Sequence, residues 1–210
     1  MLVVAHRTPA DRAACDRLFA AGARVFEIDV QVGVRGLVVS HYVPVPALPG
    51  WRRDNWRLRR ATRPLPDFHS RAALVPPDAA ILLDLKAVDS AERRALVAAI
   101  RNELADRERY RVSTPHAEDL DVLREAGFRT WRTARDRRSL AALLAEEVPD
   151  EAVTVRHSLL DPATVDALHG RGQHVLAWTV NTVRRARRLR AMGVDGVTTD
   201  RTGVAAAVGD

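Results

Sequence analysis

Residues 152–199, AVTVRHSLLDPATVDALHGRGQHVLAWTVNTVRRARRLRAMGVDGVTT, carry the rhythm that decides the fold. Short apolar runs, Ala152 to Val155, His174 to Val180 and Gly196 to Thr199, alternate with amphipathic stretches, Pro162 to Gly170 and Thr182 to Met192. Runs of that length and pattern predict buried strands separated by helices. Asp161 before Pro162 is a capping residue followed by a first-turn proline, and Gly193 stands where a glycine closes a helix.

The same alternation extends to the N-terminus. It predicts strands at Leu2 to Arg7, Arg24 to Val32, Leu37 to Val45, Ala80 to Ala87, Tyr110 to Ser113 and Arg129 to Thr133, with helices at Pro9 to Ala21, Ala91 to Leu104, Ala117 to Ala126 and Arg138 to Glu147. Gly22 and Gly127 punctuate two of these helices. With Leu37 to Val45 taken as a hairpin partner of the strand before it, eight βα strands remain, which predicts a (β/α)₈ TIM barrel, α/β in class and a single domain over residues 1–210. An open doubly wound sheet is the alternative; no G-x-G-x-x-G follows the first strand and no P-loop lysine motif is present. The Pro- and Arg-rich stretch 46–76, Pro46 to Pro76, reads as a long loop or small insertion over one barrel face.

A chain of 210 residues, 47% hydrophobic, buries one sizeable core. Met1 leads straight into Leu2 to Ala5 with no charged n-region and long h-region, no run of about 18 apolar residues occurs, and the lone Cys15 cannot form an internal disulfide. These features give the expectation of a cytoplasmic protein. The net charge of +6 raises nucleic acid, an acidic membrane surface or a phosphorylated substrate as partners. The positive charge is almost all arginine and is spread over every helical segment, so no obligate nucleic-acid partner is expected. Its densest cluster is WRRDNWRLRR, Trp51 to Arg60. That cluster reads either as a solvated loop or, with its interleaved tryptophans, as a possible peripheral membrane contact or base-stacking surface.

Residues at the carboxyl ends of barrel strands converge on one site. His6 and Arg7 end the first strand. Glu27 and Asp29 lie two apart on the second and share a face, and Asp84 and Lys86 repeat that spacing on ILLDLKA, whose Ile81, Leu82, Leu83 and Leu85 mark it as buried. Carboxylates crowded in a low-dielectric interior need compensation, which either a divalent metal, Mg²⁺ or Ca²⁺, or salt bridges to arginine can supply. Lys86 is the one lysine in a chain that otherwise uses arginine; a compact ammonium beside an acidic cluster suits a phosphate oxygen or a buried pair. His41 closes VVSH as His6 closes VVAH, so two imidazoles approach a shared centre, the equipment for general acid and base in a phosphodiester displacement. His69, His116, His157, His169 and His174 read as structural.

VAHR, FEIDV, LVVSH, LLDLK, AWTVN and GVDGVTTDR occur in an order and in relative places that resemble the glycerophosphodiester phosphodiesterases, over most of the chain. The resemblance implies a barrel that hydrolyses glycerophosphodiesters to an alcohol and glycerol 3-phosphate with two histidines and a divalent metal. Carried over by motif, it implies His6 and His41 as the acid/base pair, Glu27, Asp29 and Asp84 as metal ligands, Arg7 and Lys86 as phosphate contacts and Trp178 as a pocket wall, for a small-molecule phosphodiester or lysophospholipid substrate. The sequence departs from the family where Thr8 replaces the glycine of HRG, where the Glu-Asn-Thr motif is missing and the loop after His6 is shortened, where Tyr42 replaces an aspartate after His41, and where Asp84 stands in place of a frequent glutamate. Two other readings stay open: a lysophospholipase D or cyclic-phosphate-forming phosphodiesterase on the same barrel, and a catalytically weakened barrel that binds anionic lipid or nucleic acid through its basic surface. The oligomeric state is unknown from sequence.

Overall fold

Strand residues alternate between two burial environments, and in this chain both are inside the protein. In the computed structural model, which describes residues 1–45, 47–54, 57–61, 64–146 and 149–209, Phe26, Ile28 and Val30 of β2 (Val25–Gly33) belong to the large core between strands and helices, while Val25 belongs to a second cluster. Ile81 and Leu83 of β7 (Ala80–Leu85) divide from Leu82 in the same way. Burial on both faces explains why these strands read as continuous apolar runs.

The remaining barrel strands are β1 (Leu2–Ala5), β8 (Tyr110–Thr114), β9 (Arg129–Ala134), β10 (Ala152–Arg156), β11 (His174–Trp178) and β12 (Gly196–Thr199). The eight run parallel in the order β1-β12-β11-β10-β9-β8-β7-β2 and close through β1 and β2, with Val4 beside Val25 and Ala5 beside Phe26. Helices α1 (Arg12–Ala20), α2 (Phe68–Ala72), α3 (Ser90–Glu103), α4 (Ala117–Glu125), α5 (Arg137–Ala145), α6 (Pro162–His169), α7 (Val183–Ala191) and α8 (Thr202–Val208) complete a single-domain TIM barrel. Asp161 caps α6 by accepting from Thr164 N at 2.8 Å, with Pro162 in the first turn.

Several boundaries differ from expectation. Helix α1 starts at Arg12 rather than Pro9, because Asp11 is extended and its side chain accepts from Ala14 N as the cap. The first strand stops at Ala5 and the eleventh at Trp178, so His6 and Arg7 lie in the turn beyond their strand, where Arg7 takes a left-handed φ of +54°. The expected strand Leu37 to Val45 is two, β3 (Gly36–Val39), antiparallel to β2, and β4 (Val43–Pro44), with His41 in the break between them. The stretch expected to be a loop or small insertion contains β5 (Trp51–Asp54) and β6 (Arg57–Arg60), which join β4 in a three-stranded antiparallel sheet, and then α2. Pro46, Trp56 and Glu147, named above, lie outside the described residues. Helices α2 and α8, unforeseen in the sequence, are the two shortest.

Candidate active site

Following the inward positions up the barrel leads from an apolar floor to a polar cavity. The floor is Val4, Val25, Leu82, Trp131, Ala152 and Leu176. Gly196 completes it for a steric reason: a Cβ there would sit 3.0 Å from both Leu176 Cγ and the Leu2 carbonyl oxygen. Above the floor, at the carboxyl ends of the strands, opens a cavity of about 550 Å³. Its wall includes His6, Arg7, Glu27, His41, Asp84, Lys86 and Trp178, so seven of the eight residues singled out from sequence meet there. The eighth, Asp29, lies against the same group without forming the wall.

Strand register assembles the carboxylates. Asp29 of β2 pairs directly with Asp84 of β7, and Glu27 is two residues back on the same face of β2. One oxygen from each of Glu27, Asp29 and Asp84 lies within 4.8 Å of the others. Lys86 Nζ bridges two of the three, 2.5 Å from Asp84 Oδ2 and 3.2 Å from Asp29 Oδ1. Burial and the neighbouring charges of Asp29 and Asp84 push the Glu27 carboxyl well above the usual carboxylate range. Burial also raises Asp84, against the opposing pull of Lys86. Burial acts on Asp29 too, but the hydrogen bond from His41 and the charges of Lys86, His41 and Arg7 overcome it and hold this carboxyl at about 2.

This donor set fits a hard cation. Three carboxylates gather beside Lys86 and Arg7, and burial together with their mutual repulsion makes Glu27 and Asp84 resist ionisation despite that positive charge. Among the described residues, Glu27 Oε1 and Asp84 Oδ1 accept no hydrogen bond, because the partners of these carboxylates use the other oxygen: Arg7 N donates to Glu27 Oε2 at 2.7 Å and Lys86 to Asp84 Oδ2. Oxygen ligands from aspartate and glutamate are what Mg²⁺ and Ca²⁺ select.

The two imidazoles are held differently. His6 Nδ1 donates to Asp200 Oδ1 at 2.7 Å, which turns Nε2 toward the cavity, 3.8 Å from Glu27 Oε2. Asp200 is fixed in turn: Asn181 Nδ2 donates to its Oδ2 at 2.6 Å, and its own N–H donates to Asn181 Oδ1 at 2.9 Å. Although burial works against it, these hydrogen bonds from Asn181 and His6 keep the Asp200 carboxyl below its usual range. His41 instead sits between two carboxylates, Nδ1 3.1 Å from Asp29 Oδ1 and Nε2 3.1 Å from Asp54 Oδ2.

Asp54, Asp200 and Asn181 are site residues that reading the sequence did not assign. Asp200 and Asn181 belong to GVDGVTTDR and AWTVN, and the position of Asp200 directly after β12 was the available signal. Asp54 comes from the β5–β6 hairpin and stands beside His41 where Tyr42 leaves no carboxylate; nothing in its local sequence marks it. Thr8 holds the second strand, its N–H and hydroxyl both donating to the Glu27 carbonyl at 2.7 and 2.8 Å. Of the histidines read as structural, His116 does reach the cavity wall, where Arg93 donates to its Nδ1 at 2.9 Å. His69 and His169 pair with Glu103 and Asp195 away from it.

The model of the Glycerophosphoryl diester phosphodiesterase family matches residues 81–204, more than half of the chain. YhdW of Bacillus subtilis (strain 168), whose name places it among the glycerophosphodiester phosphodiesterases, is 40% identical over 48 residues, a match that covers 23% of this chain and 20% of YhdW. Among solved structures, a protein of Silicibacter pomeroyi DSS-3 named for the same family superposes with a TM-score of 0.75 at 20% identity, covering 98% of this chain and 91% of that one. An Oleispira antarctica phosphodiesterase, solved in complex with the product sn-glycerol-3-phosphate, gives 0.71 at 16% identity over 100% and 97% of the two chains. At these identities the structural likeness establishes the fold. No helix among the described residues is long and apolar enough to cross a membrane.

Proposed function

This chain belongs to the glycerophosphoryl diester phosphodiesterase family, and we propose that it hydrolyses glycerophosphodiesters to an alcohol and glycerol 3-phosphate by histidine acid-base catalysis, with a divalent cation, Mg²⁺ or Ca²⁺, held by Glu27, Asp29 and Asp84. The observation that carries this reading is the meeting of two differently held imidazoles and a carboxylate trio at one cavity. When bound, the cation supplies Lewis-acid polarisation of the phosphoryl group and offsets its charge.

His6 is the base in this scheme. Asp200 holds the proton on Nδ1, so the lone pair of Nε2 faces the cavity and accepts the proton of the attacking water. His41 is the acid, since an imidazole held by carboxylates at both nitrogens has a proton to give to the departing alkoxide. Substrate takes the place of Asp54 at Nε2, while Asp29 keeps Nδ1 and the ring orientation. Arg7 and Lys86 contribute charge to the phosphoryl oxygens as negative charge builds in the transition state. Trp178 walls the part of the cavity that takes the organic group. The bound product in the Oleispira relative supports glycerol 3-phosphate as the released monoester.

The test is hydrolysis of a panel of glycerophosphodiesters and lysophospholipids with added Mg²⁺ or Ca²⁺, with EDTA, and with His6→Ala. Turnover that needs the metal, vanishes in the variant and releases glycerol 3-phosphate is the expected result. Folded protein with no turnover on any diester overturns the proposal.

A further inference from the structure

We propose that the β4–β6 sheet is a docking surface for an anionic lipid bilayer, a role independent of the phosphodiesterase reading. Register sorts the hairpin into two faces, because directly opposed residues on antiparallel strands point the same way. Arg52 lies opposite Arg59 and Asp54 opposite Arg57; Trp51 lies opposite Arg60 and Arg53 opposite Leu58.

The first set faces the barrel and is held there. Arg52 Nη1 donates to Gln31 Oε1, Ser40 Oγ and the Tyr42 carbonyl at 3.0, 3.1 and 2.8 Å, Asp54 meets His41, and the Arg59 guanidinium lies 5.0 Å from the centre of the Tyr42 ring. That attachment turns the second set to the opposite face of the hairpin, with Arg53 at the rim of the cavity and Trp51, Leu58 and Arg60 beyond it. Trp51, Arg53, Leu58 and Arg60 are all exposed, and among the described residues no side-chain hydrogen bond or ion pair holds Arg53 or Arg60.

Two properties of the outer face identify its partner. Exposed large hydrophobic side chains are few, and three of the six among the described residues, Leu48, Trp51 and Leu58, are on this sheet or its turn. Arg53 and Arg60 put two guanidinium groups on this face, and the hairpin as a whole, with five arginines and one aspartate, carries +4 against +6 for the whole chain. Aliphatic and indole groups alternating with guanidinium groups match the interface of an anionic bilayer, where the former enter the acyl boundary and the latter meet phosphates. A nucleic acid would engage the arginines and leave Leu48 and Leu58 in water. The sheet also borders the cavity through Val43 and Arg53, so a bilayer resting on it lies at the mouth.

The experiment is co-sedimentation of the full chain with vesicles of phosphatidylcholine and phosphatidylglycerol in equal parts, and with phosphatidylcholine alone, across a salt series. Leu58→Ser/Arg60→Ser is compared with Arg184→Ser/Arg187→Ser on the exposed, arginine-rich face of α7, and thermal melts verify that both variants are folded. Pelleting with the anionic vesicles only, weakened by salt, is expected; the hairpin variant should lose on the order of 50-fold in affinity and the α7 variant much less. A duplex DNA arm addresses the other polyanion. No pelleting, equal pelleting with both vesicle types, equal loss in the two variants, or tighter binding to DNA than to vesicles overturns the proposal.

Discussion

The lower and upper halves of the barrel lumen are built from the same six chain segments, two residues apart, with His6 just beyond the end of its strand. Val4, Val25, Leu82, Trp131, Ala152 and Leu176 make the floor, and His6, Glu27, Asp84, Thr133, Thr154 and Trp178 line the cavity above it. A strand's period of two keeps i and i+2 on one face, so the backbone treats both layers alike and only the side chains make one a plug and the other a site. The floor consists of groups that gain by leaving water. The upper layer collects groups that pay to leave it unless they find partners, which is why the carboxyls of Glu27 and Asp84 resist ionisation there.

The contrast is broken most directly at the top. His6→Ala is expected to lower kcat by about 10²–10⁴ with little change in melting temperature, and EDTA should abolish turnover of the unaltered protein, with Mg²⁺ or Ca²⁺ restoring it. Turnover assays beside thermal melts separate the two effects. At the floor the signs reverse: Trp131→Ala, removing a buried indole, should cost about 3–5 kcal/mol of stability by urea unfolding while molecules that remain folded keep their kcat. A Trp131→Ala protein as stable as the parent would show that the floor is not a plug.

A smaller effect sharpens the division within the upper layer. Asp200→Asn leaves His6 in place but no longer fixes which nitrogen carries the proton, and a loss of about 10–100-fold in kcat is expected, read with KM and the pH profile; a change confined to stability would make Asp200 structural only. The smallest effect lies outside the lumen. Hydrogen bonds donated by the Thr164 N–H and hydroxyl depress the Asp161 carboxyl, so its capping contribution is present above the unfolded pKa of about 3.9 and is lost as pH falls through the lower folded value. Relative to Asp161→Asn, the parent should therefore lose slightly more stability on acidification, measured by urea midpoints across that range.

How much of this was legible depends on how far apart the partners lie along the chain. The pairs Glu27 with Asp29 and Asp84 with Lys86 could be placed on one face because spacing two is local to a strand. Asp200 could not be assigned to His6: they are 194 positions apart, and barrel closure brings β12 beside β1. Asp54 could not be assigned to His41, because irregular Pro- and Arg-rich sequence hides the β4–β6 sheet that delivers it. The start of α1 went wrong for a local reason, as Asp11 competes successfully with the backbone for the cap.

By itself the sequence determined the βα alternation, the number of barrel strands and the two carboxylate-bearing faces, since each follows from periodicity within a few residues. Tertiary structure alone decided which carboxylates hold each imidazole and which face of the arginine hairpin looks outward. Those depend on hydrogen bonds between segments remote in sequence, and their geometry exists only once the barrel has closed.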